Sequence, residues 1–411
     1  MQRSRNPGLA RRWFRPAILI LFLLRRYGHF PQFLLYFFDM PHPDFSGEDG
    51  EQLLTKLQEY GVAQGASDIH TSPEKDHVRL EIRLHGVLVA LSPITHDVYE
   101  QFVRRVKFQS KLKLNITNVP QDGQYTFDIR DASNGVRSVN VRVATLPSRF
   151  GETITLRLLD PQRGIVDLEQ LGFPEDMRNE LKRLVQLPNG LLLVTGPTGS
   201  GKTTTLYALL STIIGTARNI VTLEDPVEYE IGGIVQSEID SDHGFTFASG
   251  LRSVLRHDPN VVLVGEIRDL ETAQTAIDAA LTGHLVLSTL HTNSAIEAIP
   301  RLLSMGVSPY TFAPSLRAIL AQRLVRIVSD ECKAKGAACD PLAPETYSGR
   351  IVLPELLVTN ETMRAHILNQ DTERVILEEA RKGGFLTMRE WGEVLVKTGI
   401  TTKQEVERVA V

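Results

Sequence analysis

The stretch Gly196-Pro197-Thr198-Gly199-Ser200-Gly201-Lys202-Thr203 fits the pattern G-x-x-x-x-G-K-[ST] without a gap. Glycines there let backbone N–H groups approach and wrap phosphates. A helix beginning at Thr203 adds a partial positive charge at the same place. Lys202 is placed for the β- and γ-phosphates, and the Thr203 hydroxyl for Mg²⁺, with Thr204 beside it. The expected ligands are ATP and Mg²⁺.

Three further elements carry candidate chemistry. Val261-Val262-Leu263-Val264-Gly265-Glu266 is an apolar strand ending in an acid. Gly265 stands where a metal-side Asp would be, which leaves Glu266 to orient or deprotonate an attacking water. Glu224-Asp225-Pro226-Val227-Glu228 follows the apolar run 220–223. Glu224 and Glu228 are candidates to hold Mg²⁺ through water in place of the missing Asp; a plain Asp-Pro turn is the competing reading. His284 and His291 flank the apolar run 285–288 and are candidates to sense the γ-phosphate. They lack the further ligands of a zinc site, and histidines at such positions are often structural.

These residues need a scaffold. The runs 191–194, 220–223, 261–264 and 285–287 are short, continuous and apolar. Spaced by helical stretches, they predict a buried parallel sheet, an α/β unit over 174–411. Its last part, about 308–411, reads as mostly helical. Upstream, 51–64 has a helical apolar face (Leu53, Leu54, Leu57, Val62). Alternation from His77 to Leu84 turns at His85-Gly86 into a second strand, and a helix is expected near 97–112. Strands are also expected at 123–129, 136–143 and 152–159, with a tight turn at Asn134-Gly135. Residues 50–159 thus read as a small α+β domain, and 160–173, with Pro161, Gly164 and Gly172, as a linker.

Composition is ordinary for a globular chain: 42% hydrophobic, 23% charged, net charge −4 over 411 residues. No basic excess points to nucleic acid. Two cysteines, Cys332 and Cys339, make no disulfide framework and fit a reducing, cytosolic setting. Residues 1–39 are basic and apolar, yet no run reaches the ~20 residues of a spanning helix. Three readings of this stretch, which opens an N-terminal segment 1–49, stay open: a membrane-touching segment, a poorly structured tail, or residues left untranslated before a start at Met40.

The four elements, in this order, resemble the secretion ATPase superfamily, the motors of type II secretion and type IV pilus assembly. They stand as GPTGSGKTTT (196–205), LEDPVEYE (223–230), VGEIRD (264–269) and TGHLVLSTLHTN (282–293). Family-like segments also include ASDIH (66–70), Asp122-Gly123-Gln124, RVATLPSRFGETITLRLL (142–159), RLLSMGVSPY (301–310), LAQRLVR (320–326) and the C-terminal GITTKQEVERV, so the likeness covers roughly 50–411. The resemblance implies a RecA-like P-loop ATPase domain preceded by a PAS-like domain. It implies a homo-hexamer that turns ATP hydrolysis into domain rotation and pilin-like subunit assembly. It implies a cytoplasmic protein, peripheral at the inner membrane and docked on a platform protein there, with no direct nucleic-acid partner. On matching positions, Arg142 and Arg157 would reach the phosphates from the first domain. The stretches 286–293 and 321–326 favour the assembly and secretion branch over the retraction branch. Two other readings stay open: a non-hydrolysing scaffold of the same machine, and a DNA-transfer motor.

Many assembly-type members carry two C-x-x-C pairs that hold zinc. Here the aligned positions are Ser329 with Cys332 and Cys339 with Leu342. One cysteine of each pair remains, and two thiolates do not close a tetrahedral site. No structural zinc is expected, and the cysteines read as packing residues or relics.

Overall fold

The computed structural model describes residues 45, 47–130, 135–164, 166–335, 339, 340, 343 and 346–410. The expectations for 1–39, Met40 and Asn134 lie outside the described residues.

The first half builds an antiparallel sheet of six strands in the order β3-β2-β1-β6-β5-β4. These are β1 (Asp68–Pro73), β2 (Val78–Leu84), β3 (Val87–Ala90), β4 (Gln121–Arg130), β5 (Val136–Ser148) and β6 (Gly151–Leu159). Helices α1 (Gly50–Gln64) and α2 (His96–Gln109) cover one face. Alternation explains this: Ile69, Ile82, Val141, Val143, Ile154 and Leu156 point inward and meet Leu53, Leu57 and Phe102. The β2–β3 hairpin turns through His85 and Gly86, both at positive φ (49° and 86°), as a two-residue turn requires. The opposite face is polar, and part of it turns toward the second sheet.

The expected linker is packed rather than loose. Leu168 and Phe173 are buried in the second unit's core. Asp160 is buried and accepts from Arg137 at 3.0 Å. Gly164 lies so close to Tyr229 that a Cβ there would sit 2.4 Å from the ring.

The second half is a seven-stranded sheet in the order β13-β12-β7-β11-β10-β8-β9. The strands are β7 (Gly190–Thr195), β8 (Ile220–Glu224), β9 (Val235–Glu238), β10 (Val261–Val264), β11 (Leu285–Leu290), β12 (Leu316–Val328) and β13 (Tyr347–Val358). All pairs are parallel except β12–β13. Both faces are covered. Helix α3 (Glu175–Val185) and helix α4 (Lys202–Ser211) join Leu192, Val194 and Leu263 in one core. Helices α5 (Phe247–Val254) and α6 (Leu270–Leu281) join Leu191, Leu193, Val262 and Val264 in the other. Successive residues of one strand feed opposite cores, so the strands read as continuous apolar runs.

The C-terminal stretch corrects one expectation. After α7 (Ala298–Ser304) and α8 (Pro309–Ser315) come β12 and β13, long strands flanking the short helix α9 (Asp330–Lys335). The C-terminal helical part begins only at α10 (Glu361–Leu368) and continues through α11 (Glu373–Lys382), α12 (Met388–Lys397) and α13 (Lys403–Val409). Residues 318–323 are buried throughout, so β12 carries no alternating signal. The cysteines correct another. Cys332 and Cys339, read as packing residues or relics, are bonded to each other across a seven-residue separation, with Cα atoms 5.6 Å apart. Among the described residues, no helix is long and apolar enough to cross a membrane.

The chain's end is pinned by a buried ion pair. Arg326 of β12 meets Glu405 of α13 at 2.5 Å and stacks over the Tyr347 ring at 4.0 Å. Burial pushes the Glu405 carboxyl up, but hydrogen bonds from Arg408 and Arg326 outweigh it and hold it at about 2. A depressed carboxylate stabilises the fold above its unfolded value, so this contribution is lost as pH falls from about 4.5 toward 2. Glu405→Ala strands a buried guanidinium and should cost roughly 3–5 kcal/mol in urea denaturation at pH 7. A loss under about 1 kcal/mol would show that the pair contributes little.

Candidate active site

Parallel pairing brings four strand ends to one edge. Thr195 pairs with Leu290 and Ala321, Val264 with Ser288, and Leu223 with Val264. The segments that follow these strands, 196–201, 291–293, 265–268 and 225–228, therefore meet above the sheet, where open α/β sheets bind ligands.

The glycine-rich loop is held from below by β12. Gly196 has φ 148°, and a Cβ there would come within 2.5 Å of the Gln322 carbonyl oxygen. The Gln322 side chain is fully buried and donates from Nε2 to the Ser200 carbonyl at 2.8 Å. Pro197, Thr198 and Gly199 form an exposed rim, and Gly201, at φ 86°, leads into α4. Lys202 Nζ donates to the carbonyls of Gly196 (2.9 Å) and Pro197 (3.2 Å). Thr203 is exposed at the start of α4, Thr204 half-buried and Thr205 buried. Burial lowers the Lys202 ammonium to about 8, with Arg323 pushing the same way and Glu266 opposing.

Glu266 joins this group. Its carboxylate meets Arg268 at 2.5 Å and His291 Nε2 at 3.5 Å. The His291 imidazolium is disfavoured first by burial and then by the Lys202 charge. Gly265 has a local cause: a Cβ there would stand 3.1 Å from the Leu223 carbonyl and 3.2 Å from the Phe247 ring. Any side chain there would need Phe247 to give way by a few tenths of an ångström.

His284 does not join them. It immediately precedes β11 at the opposite edge, where its carbonyl accepts from Gly190, and its Nδ1 lies 3.1 Å from the Ala279 carbonyl. The six strand residues 285–290 separate it from His291, and the seven steps span roughly 23 Å. Its geometry is that of a structural histidine.

Glu224 is buried at the end of β8. Oε1 accepts from Thr222 (2.5 Å) and Gln236 (3.1 Å), and Oε2 from the Tyr207 hydroxyl of α4. Each oxygen is thus already engaged by a side chain. Glu228 is engaged across the two units: Arg142 of β5 meets it at 3.1 Å and donates to the Val227 carbonyl at 2.9 Å. Arg157 does not reach this segment; it pairs with Asp68 at 3.0 Å. Register places Arg83, Asp68, Arg157 and Arg142 in one row across four strands, so all four project from the same face.

Several residues of the site escaped the sequence reading. Thr195 Oγ1 accepts from the Thr292 amide (2.9 Å) and lies 2.8 Å from the Thr292 hydroxyl, clasping the loop of His291 to the start of the glycine-rich loop. Arg323 donates to the Asn293 carbonyl at 3.0 Å. Gln322 and Arg323 lie in the motif-like LAQRLVR, but only the β7–β12 register assigns them a place.

Residues 48–408 match the family described as type II/IV secretion system protein. The type II secretion system protein E of Pseudomonas aeruginosa is 43% identical, across 87% of this chain and 75% of its own. The type II secretion system ATPase E of Vibrio cholerae is 39% identical over the same shares. Among solved structures, the pilus retraction motor PilT with bound ADP superposes with a TM-score of 0.60 at 28% identity, covering 86% of this chain and 96% of that one. The ATPase DotB of Legionella pneumophila gives a TM-score of 0.70 at 22% identity, covering 90% and 98%, and bears on the fold alone.

Phosphates should favour the charged form of Lys202, so nucleotide binding takes up a proton where the free amine is neutral. Affinity for a fluorescent ADP should fall as pH rises above about 8, approaching tenfold per unit. Titrations between pH 7 and 9.5 check this; a flat profile would refute the lowered Lys202.

Proposed function

We propose that this chain, an ATPase belonging to the type II/IV secretion system protein family, is the motor subunit of a homo-hexameric ring. In this reading the ring drives assembly of pilin-like subunits for secretion or pilus growth. It works in the cytoplasm, peripheral at the inner membrane, against a platform protein embedded there. The observation that carries the reading is a contact between units: Arg142 of the first sheet grips Glu228 and Val227 in the segment that follows β8, at the same sheet edge as the nucleotide loop. A first unit seated on the catalytic edge is in position to move when that edge changes.

The residues divide the work. The backbone of 196–201 and Lys202 bind the β- and γ-phosphates, whose negative charge suits N–H donors and an ammonium. The Thr203 hydroxyl, exposed at the helix start, fits as the protein ligand of Mg²⁺, whose charge offsets that of the phosphates. Glu224 and Glu228 would support the ion only at second remove, through water, because their oxygens already hold Tyr207, Thr222, Gln236 and Arg142. Glu266 orients the water and takes its proton as oxygen attacks the γ-phosphorus and the bond to the bridging oxygen breaks. His291, beside Glu266, responds to loss of the phosphate. Arg142, and after release from Asp68 also Arg157, stabilises the charge on the transferred group.

Glu266→Gln should keep nucleotide affinity and lower kcat by about 10²–10⁴-fold. Lys202→Ala should remove turnover altogether. Steady-state phosphate release by the assembled protein checks both. Turnover that survives Lys202→Ala would sink the assignment of the catalytic edge.

A further inference from the structure

Loop 291–297 has two sides. Toward the nucleotide loop, His291 meets Glu266 and Thr292 is clasped to Thr195. Away from it, the loop is held by two buried charges. Arg323 of β12 donates to the Asn293 carbonyl (3.0 Å) and side-chain oxygen (3.3 Å), and to the Gln322 carbonyl (3.1 Å). Glu355 of β13 accepts the Ala295 amide at 2.6 Å with one oxygen and the Met388 amide at 3.0 Å with the other. Only 6% of Arg323 and 4% of Glu355 is exposed.

Met388 opens α12, in the C-terminal helical part. The first amides of a helix have no partner within it and need acceptors from outside. Thr387 and Glu390 satisfy two of them in a capping box, and Glu355 takes Met388. Two segments far apart in the chain therefore share one carboxylate. Burying that charge is costly, and an apolar residue of its size would strand both amides. Arg323 faces Glu355 as its counter-charge, and its other contacts fix the same loop. A shift of loop 291–297 cannot leave both Glu355 hydrogen bonds intact unless α12 follows.

We propose that Arg323 and Glu355 are positioning residues that couple the nucleotide site to the C-terminal helical part, so that the state of loop 291–297 sets the docking of α12. Neither touches the reacting atoms. The coupling rests on the catalytic reading of Lys202 and Glu266 and adds a destination for the change it produces.

Hydrogen exchange of the full chain, with and without a non-hydrolysable ATP analogue and Mg²⁺, tests it. In the wild type, the analogue should slow exchange in 196–205, in 291–297 and in 386–392. In Glu355→Gln, which keeps the side-chain shape, slowing should persist in 196–205 and vanish in 386–392. Its kcat should fall on the order of tenfold while KM for ATP stays within about twofold, because the loop rather than phosphate binding is displaced. A purely structural role would loosen 386–392 equally with and without nucleotide. The proposal is overturned if the wild type shows no nucleotide effect in 386–392, or if Glu355→Gln retains it. Should Glu355→Gln melt without cooperativity, Arg323→Lys replaces it: the charge and both Glu355 amide contacts remain, but the fork to Asn293 is lost. Wild-type kcat and coupling in Arg323→Lys would likewise overturn the proposal. Failure of the catalytic reading has a separate mark, turnover in Lys202→Ala.

Discussion

The site depends on the parallel pairing of β7 with β11 on one side and β12 on the other. That pairing delivers the glycine-rich loop, His291 and Gln322 to one edge with no residue to spare. A shift of one residue would turn Leu192 and Val194 toward the opposite core and move Gln322 from beneath Gly196. The register is secured because both faces of the strands are buried, by α4 on one side and α6 on the other. The geometry of the catalytic edge is thus a by-product of core packing, and local contacts such as the Thr195–Thr292 clasp only trim it.

What could be read from sequence divides along that physics. The loop 196–203, its strand and helix, and Glu266 were legible because each is local: a chain turn, a strand end, a charge after apolar residues. The first sheet was legible because one face is solvated and alternation survives. β12 was not, since residues buried on both faces lose periodicity and its thirteen residues pass for helix. The two histidines show the same limit. Their spacing suggested one site, but an extended strand between them carries His284 to the far edge and leaves only His291 beside Glu266. The engagement of Arg142 with Glu228, and of Arg157 with Asp68, depends on cross-strand register and on contact between units, and neither is local.

The acids show how a departure from a common motif is accommodated. At Gly265, Phe247 and the Leu223 carbonyl leave little room even for a Cβ. Glu224, on the neighbouring strand, is clamped by donors from α4, β8 and β9. The Glu224 charge is therefore set back from the surface and rigid. Glu266, by contrast, is held by the exposed Arg268 and His291, partners that can readily be exchanged.

The row of charges on the first sheet carries a last consequence. It contains three guanidiniums and a single carboxylate, Asp68, so the sheet alone cannot neutralise it. Arg142 completes its balance with Glu228, which belongs to the other unit. The first unit therefore has a seating preference written in charge: lifting it from Glu228 exposes a cation beside Arg157, and only another anion restores the balance. Under the proposed function, nucleotide phosphate would be such an anion and a rival of Glu228 for this one arginine.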